Sequence, residues 1–128
     1  MATITEDYVS FEIAKLLKEK GFDESIRCWY DNFQDFHEEG VRMCNTDCLP
    51  PTIMCPTLQM AMRWLRDVHH LVIQIELIDF LEHGEVWLYS IIERKTIKRL
   101  TDRDEDFTEH SYEEACEAAI KYCLENLI

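Results

Sequence analysis

Two long β-type segments joined by a short connection place the strongest constraint on the fold. Residues 71–80 and 86–93 are rich in the β-branched and aromatic side chains that favour strands. Gly84 lies in the turn predicted between them. Because so short a connection cannot hold the crossover that parallel strands need, the two segments predict an antiparallel pair. A third short strand, predicted at 96–100, extends this pair into a meander.

Three other segments have helical periodicity. Apolar residues recur at intervals of three and four within residues 6–20, 57–69 and 112–127. Gly21 follows the first segment and is well placed as a C-terminal cap, because glycine adopts the left-handed conformation at little cost. Residues 111–114 have the Ser-x-x-Glu pattern of a capping box before the third segment. The sequence therefore predicts three amphipathic helices.

The order of these elements predicts the fold class. With a short strand at 26–31, the order is α-β-(β)-α-β-β-β-α. We predict an α+β fold, in which three helices cover one face of an antiparallel sheet of about 4–5 strands. The length of 128 residues suits a single two-layer domain over residues 1–128. Residues 32–52 show neither helical periodicity nor the alternation of a strand, and we expect a long loop or an edge-strand insertion there.

Charge restricts the classes of partner. The chain has 13 basic and 26 acidic residues, a net charge of −13. This balance makes nucleic-acid binding unfavourable, because binding requires cations that displace counterions from phosphates. It also disfavours an anionic membrane surface. Charged residues interrupt every apolar stretch before the roughly 18 residues of a membrane span, and the N-terminus has no signal-peptide pattern. We therefore expect a cytoplasmic protein without a membrane partner, with reduced cysteines.

The segment 37–55 holds the strongest metal candidates, His37, Cys44, Cys48 and Cys55. Zinc takes four tetrahedral ligands from thiolate or imidazole, and such a site could order a long loop. The spacing is not that of a C-x₂-C knuckle, however, and no second ligand pair follows. The sequence therefore favours no metal and no other cofactor. On the other interpretation Cys44 and Cys55 are small core residues and Cys48 is a loop thiol. No motif assigns a catalytic residue.

The strand at 86–93 is apolar on both faces. Trp87, Tyr89 and Ile91 share one face, and the opposite row is apolar as well. Because the helices of a two-layer domain cover only one sheet face, one row is expected to remain exposed as an interaction patch. We predict a homodimer interface through Trp87, Tyr89 and Ile91, since a two-fold axis needs only one self-complementary surface. The alternative is that residues 32–52 fold over this face and leave a monomer.

Two segments carry motifs that recur in one family. Residues 56–70 read PTLQMAMRWLRDVHH, and residues 112–128 read YEEACEAAIKYCLENLI. Together with KLLKEKGF in the first helix, they resemble a family of short uncharacterised proteins from Bacteroides-type gut bacteria and their phages and prophages. The resemblance covers most of the chain except roughly residues 32–52. It implies a phage or mobile-element origin, and it implies no catalytic residues because the family has no assigned activity.

These observations favour a non-enzymatic accessory or interaction protein of phage or mobile-element origin, with a protein partner still to be identified. Two alternatives stay open. The first is a small zinc-binding or cysteine-dependent domain that uses the Cys/His loop at 37–55. The second is an acidic inhibitor that imitates DNA, which requires carboxylates at phosphate-like intervals on one face.

Overall fold

Three helices and short antiparallel strands make up the computed structural model. The structure describes residues 5–38, 40–80, 84–101 and 108–128. The predicted α+β class with three helices is confirmed, although the strands are divided between two sheets rather than gathered in one. The chain divides into two compact units, an N-terminal unit of residues 1–60 and a C-terminal unit of residues 61–128. The single two-layer domain over 1–128 stays a prediction.

Helix α1 (Phe11–Glu19) begins after Ser10, whose side chain caps the first turn. It ends as the sequence predicts. Gly21 has a φ of 93°, and the Phe22 N–H donates to the Leu17 carbonyl oxygen at 2.9 Å. This bond from the second residue after the cap back to the last turn defines a Schellman motif. Helix α1 packs against strand β3, described next.

The sheet of the N-terminal unit consists of three strands of two residues each. Strands β1 (Trp29–Tyr30), β2 (Phe36–His37) and β3 (Ile53–Met54) are antiparallel, in the order β2-β1-β3. The strand predicted at 26–31 is thus shorter, and the predicted loop at 32–52 contributes one strand of its own. Strands of two residues have no alternation that a sequence pattern could reveal, which explains the difference.

Helix α2 (Leu58–Val68) lies within the predicted range of 57–69. The Thr57 hydroxyl accepts the Met60 N–H at 3.1 Å and caps the first turn. The buried side chains of this helix share one face, as its periodicity predicts, and they are Leu58, Ala61, Met62, Trp64 and Leu65. His70, with a φ of 59°, forms the tight connection to the next strand.

The sheet of the C-terminal unit is built on a hairpin of ten-residue strands. Strands β4 (Leu71–Phe80) and β5 (Gly84–Glu93) are antiparallel, with Ile73 opposite Ile91. The predicted strand at 71–80 has the observed bounds, and the strand predicted at 86–93 begins two residues earlier. Residues 81–83 of the predicted turn lie outside the described residues.

The other side of β5 carries two short strands. Strand β6 (Lys98–Arg99) replaces the longer strand predicted at 96–100, and β7 (Thr108–Glu109) pairs with β5 as well. The acidic connection predicted before β7 lies largely in residues 102–107, outside the described part of the chain.

Helix α3 (Tyr112–Tyr122) packs on β4 and β5 and makes the C-terminal unit a two-layer structure. The Ser111 side chain accepts the Glu114 N–H at 3.1 Å, so the first half of the predicted capping box is confirmed. The Glu114 carboxylate reaches back to the His110 N–H at 3.2 Å, one residue before the cap. A π-helical turn, Cys123–Leu127, continues the helix. No helix within the described residues has the length and apolar character needed to cross a bilayer.

Candidate functional site

A cleft of about 240 Å³ opens in the N-terminal unit. We call it the Tyr8 cleft. It is lined by Tyr8, Ile26, Arg27, Cys28, Glu38, Arg42, Cys55, Pro56, Thr57 and Met60. Backbone pairing positions its walls, because Tyr8 and Thr57 form one antiparallel bridge, and Ile26 and Met43 form another. The cleft therefore joins segments that are far apart in sequence.

Two cysteines lie opposite each other in the cleft. Trp29 of β1 pairs with Met54 of β3, and one residue further along the Cys55 N–H donates to the Cys28 carbonyl oxygen at 2.9 Å. Cys28 is 7% exposed and Cys55 1% exposed. The Cys55 thiol donates to the Val9 carbonyl oxygen at 3.3 Å. The two side chains consequently extend from directly opposite positions of neighbouring strands.

Tyr8 places a phenol beside this pair. Its hydroxyl is hydrogen-bonded to the Cys28 thiol, and this bond, followed by burial and the negative charges of Cys28, Glu38 and Glu6, raises the pKa of Tyr8 to about 12. The phenol therefore keeps its proton at neutral pH and serves as a hydrogen-bond donor. Because an efficient general base has a pKa near the working pH, Tyr8 is suited to binding rather than to proton transfer.

Two arginines line the cleft of a chain that is acidic as a whole. Arg27 and Arg42 line it together with a single carboxylate, Glu38, whereas the whole chain carries a net charge of −13. The Arg42 guanidinium also donates to the Ser25 carbonyl oxygen at 3.2 Å, and this bond fixes the orientation of the guanidinium group. The carboxylate of Glu6 also acts on Tyr8, so the cleft has no general positive field. An anionic ligand group would instead be bound by direct pairing with the Arg27 or Arg42 guanidinium.

Gly40 allows the wall that carries Glu38 and Arg42 to approach Arg27. A Cβ atom at this position would collide with the Arg27 carbonyl oxygen and lie 3.4 Å from Nε1 of Trp29. Glycine is therefore required here by space, since a bulkier residue would push the two walls apart.

Two exposed apolar side chains lie at the cleft. Met60 lines it and is 36% exposed, and Phe36, 39% exposed, has its ring centroid 4.9 Å from that of Tyr8. Of the nine large apolar side chains that are exposed among the described residues, six lie between positions 33 and 60. Apolar exposure is thus concentrated in this segment of the chain, and two of its members, Phe36 and Met60, lie at the cleft. Exposed apolar groups of this kind are typical of interaction surfaces.

His37, the imidazole of the predicted metal segment, has another partner. Its Nε2 lies 2.8 Å from the Asp31 carboxylate, and its ring stacks on Trp29 with centroids 4.0 Å apart. Because a carboxylate only accepts hydrogen bonds, Nε2 is the protonated nitrogen in this contact. The His37 bond is the largest cause of the lowered pKa of Asp31.

The three predicted cysteine ligands occupy different surroundings. The Cys44 thiol donates to the Asp47 carboxylate at 3.2 Å, and this bond raises the pKa of Cys44. Burial raises the pKa of Cys48, and Cys55 lies in the Tyr8 cleft. Within the described ranges, no three His, Cys, Asp or Glu side chains are grouped so as to hold a metal ion. The structure does not bring the four candidates together, and zinc binding stays a hypothesis.

The predicted interface row lies on the helix-covered face of its sheet. Trp87 contacts Tyr112 of α3 with ring centroids 5.6 Å apart, and Tyr89 contacts Tyr122 at 6.4 Å. Ile91 has no exposed surface. Helix α3 thus packs on the face that was predicted to be open. The interface through Trp87, Tyr89 and Ile91 stays a prediction, as does the homodimer itself.

The sequence analysis did not identify Tyr8, Arg27, Cys28 or Arg42 as site residues. None belongs to a motif, and only the long-range pairing between the two cysteine-bearing segments brings them to one cleft. No family model, curated protein or solved structure matches this chain. The resemblance to the phage-associated family accordingly stays a prediction.

Proposed function

We propose that the protein is a non-enzymatic interaction protein that binds a partner segment carrying apolar side chains and a carboxylate in the Tyr8 cleft. Its phage or mobile-element origin and its action in the cytoplasm are part of the proposal, and they rest on the sequence. The observation that carries the proposal is the combination, at one cleft, of the exposed apolar side chains of Phe36 and Met60 with the guanidinium groups of Arg27 and Arg42.

The size of the cleft supports a peptide rather than a cofactor. Pockets for small molecules and cofactors commonly enclose roughly 300–1,000 Å³, whereas the Tyr8 cleft encloses about 240 Å³. A volume of that size suits one or two side chains of a longer segment. The remainder of such a segment would lie on exposed apolar groups outside the cleft, such as Phe36.

Charge supports a carboxylate on that segment. Arg27 and Arg42 are exposed side chains that line the cleft, and arginine binds carboxylates through paired hydrogen bonds. The net charge of −13 repels acidic chains in general. A bound acidic segment would therefore depend on these two arginines and on salt concentration.

The backbone supports an extended partner. Strand β2 is at the edge of its sheet, and it carries Phe36, which contacts Tyr8. An edge strand offers backbone donors and acceptors to an added strand, and alternate side chains of that strand then enter neighbouring pockets.

A random peptide library displayed on phage tests this proposal. We expect the wild-type chain to select peptides that combine Asp or Glu with large apolar residues. A selected peptide should bind at least tenfold more weakly to the Arg27→Glu/Arg42→Glu double variant, which corresponds to about 1.4 kcal/mol.

The matched control is Arg94→Glu/Lys95→Glu, which makes the same charge change at two exposed cations that do not line the cleft. Its affinity should stay within about twofold of wild type, since neither side chain lines the cleft and exposed charges that do not contact a ligand are largely screened. Equal losses in both double variants, or selection without acidic residues, would overturn the proposal.

A further inference from the structure

We propose that Cys28 and Cys55 form an oxidisable dithiol, a modification site that closes to an intrachain disulfide between neighbouring strands when a peroxide enters the Tyr8 cleft. The inference concerns the thiols themselves and does not require a bound partner.

The register of the sheet carries the inference. The bond of 2.9 Å from the Cys55 N–H to the Cys28 carbonyl oxygen continues the β1–β3 ladder and makes the two cysteines directly opposite. In such hydrogen-bonded pairs the Cα atoms lie about 5.5 Å apart, within the roughly 4.4–6.8 Å found in disulfides. The Cβ atoms of opposite residues lie about 4.5–5.5 Å apart, at the wider end in hydrogen-bonded pairs, so closure must bring them together by about 1–2 Å.

The cleft gives a small oxidant access to both sulfur-bearing side chains. Cys28 and Cys55 are buried from bulk solvent, yet both line the cavity. The hydroxyl of Tyr8 donates to the Cys28 sulfur, because the phenol keeps its proton at neutral pH. This contact and the ladder bond to Cys55 hold the Cys28 side chain at the cavity.

The other four cysteines are less suited to oxidation. Cys116 and Cys123 have no exposed surface, and burial raises the pKa of Cys123 to about 12. Cys44 is held by the Asp47 carboxylate, and burial raises the pKa of Cys48. A thiol that resists deprotonation reacts slowly with peroxide. The pair in the cleft should therefore react first.

The reaction balances with hydrogen peroxide as the oxidant. The Cys28 thiolate attacks one peroxide oxygen, the O–O bond breaks, and the released hydroxide takes the proton lost by Cys28 to form water. Cys55 then attacks the sulfur of the Cys28 sulfenic acid. The S–S bond forms, the S–O bond breaks, and the departing hydroxide takes the Cys55 proton as a second water. The two thiols lose two electrons, and peroxide gains them.

Peptide mapping of the full chain tests the inference. The protein is treated with hydrogen peroxide, its remaining thiols are alkylated, and it is digested without reduction for mass spectrometry. We expect one dominant disulfide that joins the peptides containing Cys28 and Cys55, and we expect dithiothreitol to restore both thiols. Dominance of any other cysteine pair, or oxidation of Cys28 to sulfinic acid while Cys55 remains alkylatable, would overturn the inference.

Two serine variants test which cysteines the disulfide requires. Cys28→Ser should abolish the disulfide, whereas Cys44→Ser/Cys48→Ser should form it to the same extent as wild type. Mapping of the wild-type chain decides the question even where a variant folds poorly. The binding test of the proposed function is run under reduction, so failure of one experiment leaves the other result intact.

Discussion

The side-chain oxygen of Asn45 accepts the backbone N–H of Met54 at 3.0 Å. The amide nitrogen of the same side chain donates to the Phe22 carbonyl oxygen at 2.8 Å. Both bonds are buried, and Asn45 itself is 8% exposed. One side chain thus joins the segment that follows α1 to strand β3, and it satisfies two backbone groups that water does not reach.

Replacement of Asn45 by alanine should destabilise the N-terminal unit. The change leaves the Met54 N–H and the Phe22 carbonyl oxygen without these partners, and we expect the free energy of unfolding to fall by about 2–4 kcal/mol. Urea denaturation measures this loss. The control is Thr46→Ala, which removes only an exposed hydroxyl that contacts Asp23. If Asn45→Ala lowers the free energy of unfolding no more than Thr46→Ala does, the two buried hydrogen bonds of Asn45 do not stabilise the unit.

Replacement of Ile97 by asparagine should stabilise the C-terminal unit. Ile97 lies in the turn between β5 and β6 with a φ of 57°, and it is 78% exposed. A β-branched residue is strained in this conformation, which asparagine tolerates, so we expect a gain of about 1 kcal/mol. Thermal denaturation measures it. Lys95→Asn, in the same turn but outside the left-handed region, should give no gain. Equal effects of the two changes would refute the strain argument.

The contact of Asp31 with His37 should make the stability of the N-terminal unit depend on pH. The His37 hydrogen bond lowers the pKa of Asp31 in the folded chain. Its stabilising contribution is therefore complete above the unfolded value of about 3.9, and it is lost as pH falls through the folded value. The stability difference between wild type and Asp31→Asn should not decrease from pH 7 to about pH 5, and it should shrink below that pH. If the stability difference shrinks between pH 7 and pH 5, the carboxylate of Asp31 is not the source of the pH dependence.

Replacement of Trp87 by lysine should destabilise the folded chain rather than dissociate a dimer. Trp87 packs on Tyr112 within the chain, and we expect a loss of about 2 kcal/mol in the free energy of unfolding. Leu77→Lys is the control, because Leu77 is paired with Trp87 across the hairpin but is 53% exposed. Light scattering and denaturation are measured together. If Trp87→Lys dissociates a dimer and leaves the free energy of unfolding unchanged, Trp87 lies in the dimer interface instead.

The sequence predicts those elements whose own residues determine them. The alternation in 71–80 gives the bounds of β4, and the apolar stripe in 57–69 gives those of α2 to within one residue at each end. The stop at Gly21 and the cap at Ser111 follow from local backbone and hydrogen-bond preferences. Each of these signals lies within a few residues of the feature that it determines, and for that reason each could be interpreted without the fold.

The site depends on long-range pairing that has no local signal. Cys28 and Cys55 are 27 positions apart, and the strands that align them have only two residues each. The sequence also gave no basis for choosing between the two faces of β5, because both are apolar. In the structure, α3 packs on the face of β5 that carries Trp87, and the rings of Trp87 and Tyr112 are in contact.

Binding in the Tyr8 cleft is tested most directly by nuclear magnetic resonance of the isotope-labelled full chain, titrated with a peptide from the library. The account predicts that the backbone signals that shift most are those of the cleft residues, among them Tyr8, Arg27, Glu38 and Met60. Shifts that instead concentrate on β5 and α3, with those cleft signals unchanged at saturation, would contradict it.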